Sequence, residues 1–389
     1  MAITISGSGI TSANIADGTI TTDDILASDV KNLKSGRKNL IINGAMNVAQ
    51  RATSVTGFTG GSGGYITTDR WQQSESGATT GIFTITQDTD APDGFATSTK
   101  WDCTTADSAL AAGDAMFINQ QIEAQDLQHL SYGTSGALQT TISFWVKSNK
   151  TGTYVVWFYQ ADGARHVQSQ YTVDTADTWE KKTYTIPADT SGSLLNNNDT
   201  GLYVRFVLGS GTNYTSGTAP TAWAANVSAN RYAGQTVNIA DSTANYFNIT
   251  GVQLELGSVA TDFEHRSYGE ELALCQRYYQ RIAQPAGDFY IMASKGQSTD
   301  TTRFAQTLAR PLRASPTISQ GGGFSNWRCF RGTSAVLTST STPSTVGFVE
   351  NAGFVSLQVA GFSGITDNYF YGTSPAFGSA GYFDMDSEL

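Results

Sequence analysis

Charge is scarce in this 389-residue chain. Asp, Glu, Lys and Arg together make up 14% of it, and acids outnumber bases enough to give a net charge of −10. Nucleic acids and anionic membrane surfaces reward basic patches, so neither is expected as a partner. The one local basic cluster, Lys31 to Lys38, reads as a solvated linker. Cysteine is nearly absent. Cys103, Cys275 and Cys329 are too few and too scattered for a disulfide framework or a zinc site, and read as reduced structural thiols. His129, His166 and His265 stand in no metal-ligand spacing, so no metal and no cofactor is expected. No apolar run approaches the roughly 20 residues that cross a bilayer, which argues against membrane insertion. The opening MAITISGSGI lacks the regions of a secretory signal, so synthesis in a cytoplasm is expected. No P-loop occurs, and the chain is not expected to be an enzyme.

What is present is a β text: 40 glycines against 8 prolines, 11% aromatics, and Ser, Thr and Asn throughout. The expected fold is mainly β: an N-terminal repeat arm, an antiparallel jelly-roll sandwich, one short connecting helix and a small C-terminal β-sandwich. Residues 1–38 form the arm. Ile5, Ile10, Ile15, Ile20, Ile25 and Val30 recur every five residues, a period that suits a chain turning corners like a β-solenoid. So short a solenoid cannot bury its own axis, so these six residues are candidates for contact with copies of the chain.

Residues 39–266 carry the jelly roll. Alternating runs predict strands at 81–86, 140–147, 154–160, 180–186, 202–208 and 246–256, with Gly, Asn and Asp at most turns. Ser143, Trp145 and Lys147 should share one face, and the continuous apolar run from Tyr154 should be covered on both faces. Residues 267–284 are expected to be helical. Ser267 and Glu270 have capping-box spacing, and Leu272, Cys275, Tyr279 and Ile282 fall on one face. Leu272 and Tyr279 are therefore candidates for an oligomer collar. Residues 285–389 form the distal β-domain, with Gly321–Gly323 and the 338–345 Ser/Thr run read as loops.

Four motifs point to a family: NLIINGAMNVAQR at 39–51, TDRW at 68–71, SFWVKS at 143–148, and above all ITGVQLELGSVATDFEHRSYGEELALCQRYYQR at 249–281. With the closing YFDMDSEL at 382–389, they resemble tail-fibre proteins of tailed bacteriophages. That resemblance implies a receptor-binding homotrimer with a jelly roll similar to carbohydrate-binding modules. It places the protein in the virion tail after synthesis in the bacterial host cytoplasm. The arm would bind other virion proteins, and the distal domain would meet a host surface glycan. A long shaft is missing, which leaves open a head fibre or an adaptor or decoration protein without a receptor role. A polysaccharide depolymerase is the less favoured alternative: carboxylate pairs such as Glu255 and Glu264 can be proposed for it, but in a chain with abundant acids such pairs are usually surface charges.

Glycan sites need exposed rings beside amide and carboxylate side chains. The candidates are Tyr214 and Trp223 in the jelly roll, with Tyr65 a further loop ring, and Phe324, Trp327, Tyr369 and Tyr371 in the distal domain. Trp145 and Trp179 read as core.

Overall fold

The computed structural model describes residues 37–61, 63–284, 292–331, 335–347, 353–365 and 370–389. The six repeat residues Ile5 to Val30, and Tyr369, lie outside these. The chain is mainly β, and every strand pairing is antiparallel.

The first region begins β1 (Ser54–Thr59), β2 (Gly63–Gly64), β3 (Gln72–Ser76), β4 (Ile82–Asp88), β5 (Ser98–Thr105), β6 (Ala115–Glu123) and β7 (Thr140–Ser148). It continues with β8 (Gly152–Gln160), β9 (Arg165–Val173), β10 (Glu180–Ile186), β11 (Thr200–Ser210), β12 (Ala224–Ala225) and β13 (Tyr246–Leu256). These form two sheets, a six-stranded one in the order β1-β4-β5-β13-β7-β10 and a seven-stranded one in the order β12-β9-β8-β11-β6-β3-β2. Alternation along each strand decides what lies between them. Ile142, Phe144 and Val146 from β7 meet Tyr154, Val156 and Phe158 from β8 and Val204 and Phe206 from β11. Trp145 and Trp179 are not core: each is half-exposed, and the Trp179 indole N–H reaches Asp90 at 2.9 Å. On β7 the alternation sends Trp145 to the outer side.

The segment before β1 is fastened to β13. Leu40 N–H donates to the Leu254 carbonyl, and Val252 N–H to that of Gly44. Gly44 is required there, because a Cβ would sit 2.1 Å from the Val252 oxygen. Asn43, with φ of 56°, completes the turn, and its amide donates to the Val48 and Asp69 carbonyls.

The helix is shorter than the apolar spacing predicts. It spans Tyr268–Cys275, with the Ser267 hydroxyl accepting the Glu270 N–H at 3.3 Å, and Cys275 is its only buried residue. The Glu270 carboxylate turns outward to Arg37 instead of closing the box. Tyr279, expected on the helix, opens β14 (Tyr279–Gln284), which pairs with the last strand. Adjacent β-favouring tyrosines and an available strand edge win over helical periodicity here. Tyr279 is 1% exposed and covered by the Arg51 guanidinium, 3.6 Å from its ring centroid, within the same chain. Leu272 is half-buried on the helix.

The distal region has β15 (Met292–Gly296), β16 (Thr302–Thr307), β17 (Thr317–Arg331), β18 (Ala335–Ser339), β19 (Ser344–Gly347), β20 (Phe354–Val359) and β21 (Phe370–Asp386). With β14 they make one eight-stranded sheet over its own core of Phe304, Trp327, Val355, Leu357, Phe383 and Met385, rather than two separate sheets. Gly321–Gly323, read from sequence as a loop, lies inside β17, paired to β21. The Tyr382 ring lies where a Gly321 Cβ would point, and this close approach favours glycine.

Candidate functional site

The outer face of the seven-stranded sheet carries a row-by-row array that follows from strand register. Tyr203 on β11 pairs with Gln121 on β6 and Tyr159 on β8. In the next row Arg205 pairs with Asn119 and Trp157, and Asn119 with Gln72 on β3. Period-two alternation sends all of these away from the sandwich core. The Trp157 and Tyr159 rings stack at 5.2 Å and 5°, and Tyr203 leans on Tyr159 at 5.6 Å. Tyr159 and Tyr203 remain half-exposed, whereas Trp157 is roofed by Tyr232 at 5.9 Å.

Polar groups surround these rings. Asn119 Nδ2 donates to Gln72 Oε1 at 3.2 Å, and Gln72 is half-exposed. Gln121 is buried and donates to the Leu389 carbonyl at 3.0 Å, so the described chain end borders the platform. The Arg205 guanidinium lies 3.6 Å from the Phe117 ring centroid and donates to the Tyr232 hydroxyl at 2.6 Å. Trp157 Nε1 donates to His166 Nδ1 at 2.9 Å, which assigns the imidazole proton to Nε2. Burial, and then the charge of Arg231, pushes His166 down to about 4, so it is neutral at physiological pH.

Half-exposed rings edged by amides can pack against the C–H faces of a sugar and bond its hydroxyls. Sequence reasoning did not single out this site. It read the Tyr154–Tyr159 run as covered on both faces, which holds for Val155 and Trp157 against Tyr232 but stops short of Tyr159. The signal was there in the spacing of Trp157 with Tyr159 and of Tyr203 with Arg205, once those two strands were known to be neighbours.

The residues proposed from sequence lie elsewhere. Trp327 is fully buried in the distal core and Tyr371 is 5% exposed beside it. Phe324 sits on β17, and Tyr369 falls outside the described residues. Trp223 is 8% exposed, with its indole N–H on the Pro187 carbonyl at 2.7 Å. Tyr214 comes near the platform: it packs on Tyr232 at 5.6 Å and borders an open cleft of about 630 Å³. Tyr65 bonds the Leu389 carbonyl at 3.2 Å.

A larger cleft of about 1230 Å³ runs beside the helix, past Leu138, Leu256 and Leu274. Much of its charged rim is already satisfied within the chain, by Arg37 with Glu270, Arg266 with Glu264, and Arg277 with Glu123. The site is therefore placed on the sheet face. The Glu255–Glu264 pair is consumed structurally: Glu255 holds the Thr261 amide and hydroxyl, and Glu264 accepts from the Lys38 and Asn39 amides. Among the described residues no group of three or more metal-ligating side chains gathers, and no helix is long and apolar enough to cross a membrane.

No family model and no curated protein matches the sequence. Solved structures do match. The enzymatically active domain of tailspike protein 4 from bacteriophage CBA120 aligns with 56% of this chain at 13% identity and a TM-score of 0.30; the match spans 21% of that domain's own length. TmCBM61, solved in complex with β-1,4-galactotriose, aligns with 57% of this chain and 99% of its own, at 8% identity and a TM-score of 0.26. The family 11 carbohydrate-binding module of a Clostridium thermocellum cellulosomal cellulase covers 50% of this chain and 91% of its own, at 12% identity and a TM-score of 0.24.

Proposed function

We propose that this protein is a non-catalytic virion fibre whose jelly roll attaches a bacteriophage to a glycan on its host. The observation that carries glycan binding is the half-exposed Tyr159–Tyr203 pair, set on a rigid sheet and edged by Gln72 and Asn119. Rings held on strands lose little freedom when a ligand docks, which suits a binding surface. The absence of catalysis is supported by the structural use of Glu255 and Glu264. The virion setting rests on the resemblance of the four motifs and the closing strand to tail fibres. In this reading residues 1–38 join three chains and anchor them to the particle, and weak single-site binding gains strength from several copies.

The test is binding of the purified full chain to envelope polysaccharide from the host, by affinity electrophoresis and by competition with infection. Tyr159→Ala with Tyr203→Ala should abolish retardation without unfolding the domain. Retention unchanged by that double substitution removes the platform reading. A wild-type protein that neither binds host cells nor competes with infection is a decoration protein instead.

A further inference from the structure

We infer that the saccharide bound on this sheet face is anionic, bearing carboxylate or phosphate groups. The inference rests on the reading of that face as the glycan platform and adds the ligand's charge to it. Most buried or half-buried arginines of this chain meet a carboxylate: Arg51 and Arg70 meet Glu388, Arg165 meets Asp189, Arg266 meets Glu264, Arg277 meets Glu123, and Arg281 meets Asp384. Arg313 of the distal region does not, and on this sheet face neither do Arg205 and Arg231. Both are half-buried around the Trp157–Tyr232 aromatic cluster, and no carboxylate of the described residues lies within ion-pair distance of either. In a protein of net charge −10 this is where an excess of acids would be expected to supply partners.

The acids at the two ends of β6 are engaged elsewhere. Glu123 holds Arg277, and Asp114 accepts the Ala78 and Ala111 amides. Arg205 spends one N–H on the Tyr232 hydroxyl and its flat face on Phe117, while its buried Nε has no partner. Arg231 spends its Nε on Asn226. A guanidinium held flat on a ring, with N–H groups unspent, is preorganised for a planar carboxylate or a phosphate. Tyr203, one row from Arg205 on the same strand, would take the sugar ring while the guanidinium takes its charge.

The test uses the full chain and three probes: oligogalacturonate, a glycerol-phosphate oligomer and neutral β-1,4-galactan oligosaccharides. Titration calorimetry at about 50 and about 300 mM salt separates charge from stacking, because exposed charge interactions are screened over that range. One anionic probe should bind roughly tenfold more tightly than galactan at low salt, with the advantage shrinking at high salt. Which of the two it is identifies carboxylate or phosphate. Arg205→Gln should erase the advantage, and Arg205→Lys should restore part of it. Arg231→Gln, which removes no ring stacking on Phe117, should reduce the advantage in a fold that melts like wild type. Equal, salt-independent affinity for neutral and anionic probes overturns the inference and leaves the platform standing. Failure of every probe to bind overturns both.

Discussion

Glu388 forms a buried ion pair with Arg70, 318 positions earlier in the chain. Around it the recognised motifs of the sequence converge. Arg70 lies 3.4 Å from the Tyr278 ring centroid and Arg51 3.6 Å from that of Tyr279. Arg281 pairs with Asp384 and donates to the Arg51 carbonyl, and the Ser387 amide closes on the Tyr278 carbonyl at 2.8 Å. The segments 39–51, 68–71, 275–281 and 382–389 thus share one junction that joins jelly roll to distal sheet.

Breaking that pair on one side should be expensive. Glu388→Gln leaves the Arg70 charge buried without its counter-ion, and removing one partner of such a pair costs about 3–5 kcal/mol. Denaturant unfolding should show the loss. Arg70→Met combined with Glu388→Leu should recover most of it, because apolar packing spares both desolvation penalties. A double variant no more stable than Glu388→Gln would show that packing, not the buried charge, dominates this site.

The distal tryptophan and the platform tyrosines should separate stability from binding. Trp327→Ala empties a fully buried site and should cost about 3–5 kcal/mol. Its binding to host polysaccharide, measured below the melting temperature, should match wild type. Tyr159→Ala should do the reverse, with near-native stability and lost binding. A Trp327→Ala protein that melts like wild type but no longer binds would move the glycan site to the distal domain.

How much of this was legible in the sequence depended on alternation. The strands Glu180–Ile186 and Tyr246–Leu256 were read to their ends, because apolar and polar residues alternate or turn residues bound them. The β6 strand AMFINQQIE escaped. All nine of its residues are buried, with the Asn119, Gln120 and Gln121 side-chain amides donating to Gln72, Ile42 and Leu389, so it shows no alternation to read. RHVQSQYTV on β9 keeps alternation at Val167, Tyr171 and Val173 and was missed because most of its residues are polar, Gln168 among them bonding the Ala233 carbonyl. The candidate site needed more than strands. Tyr159 and Tyr203 are 44 residues apart in sequence, and only the β8–β11 register makes them one surface. Trp327 misled for a local reason: its Gly, Ser and Asn neighbours look like a loop, yet they lie in a strand closely paired to β21.

The N-terminal arm should govern assembly. In the reading proposed above, the full chain in light scattering should show three times its 41.4 kDa mass, and a chain starting at residue 37 should show one. Asp at Ile15 and Ile20 should mimic the deletion, since a buried apolar axis rejects charge. A full chain that scatters as a single copy overturns the trimer. A truncated chain that stays trimeric places the contacts in the folded domains.

Two buried titratable groups of the jelly roll should pull stability in opposite directions with pH. Both carboxylate oxygens of Glu75 are buried without a partner, and burial, then the charges of Asp107 and Asp114, pushes this acid up to about 8. Folded Glu75 therefore keeps its proton where the unfolded chain, near 4.5, has released it, so its contribution falls as pH rises from about 4.5 to about 8. His166 acts at the acid end. The unfolded imidazole takes a proton near 6.5 and the folded one only near 4, so stability is lost as pH falls through that window. The two together predict a stability maximum on the mildly acidic side of neutrality. Glu75→Gln keeps the shape of the protonated acid and removes its ionisation. Its melting temperature should match wild type near pH 5 and exceed it near pH 8, where wild type must hold an uncompensated proton or charge. Parallel melting curves for the two proteins across that range would mean Glu75 ionises freely in the folded state, and the buried, unpartnered placement of its carboxylate would be wrong.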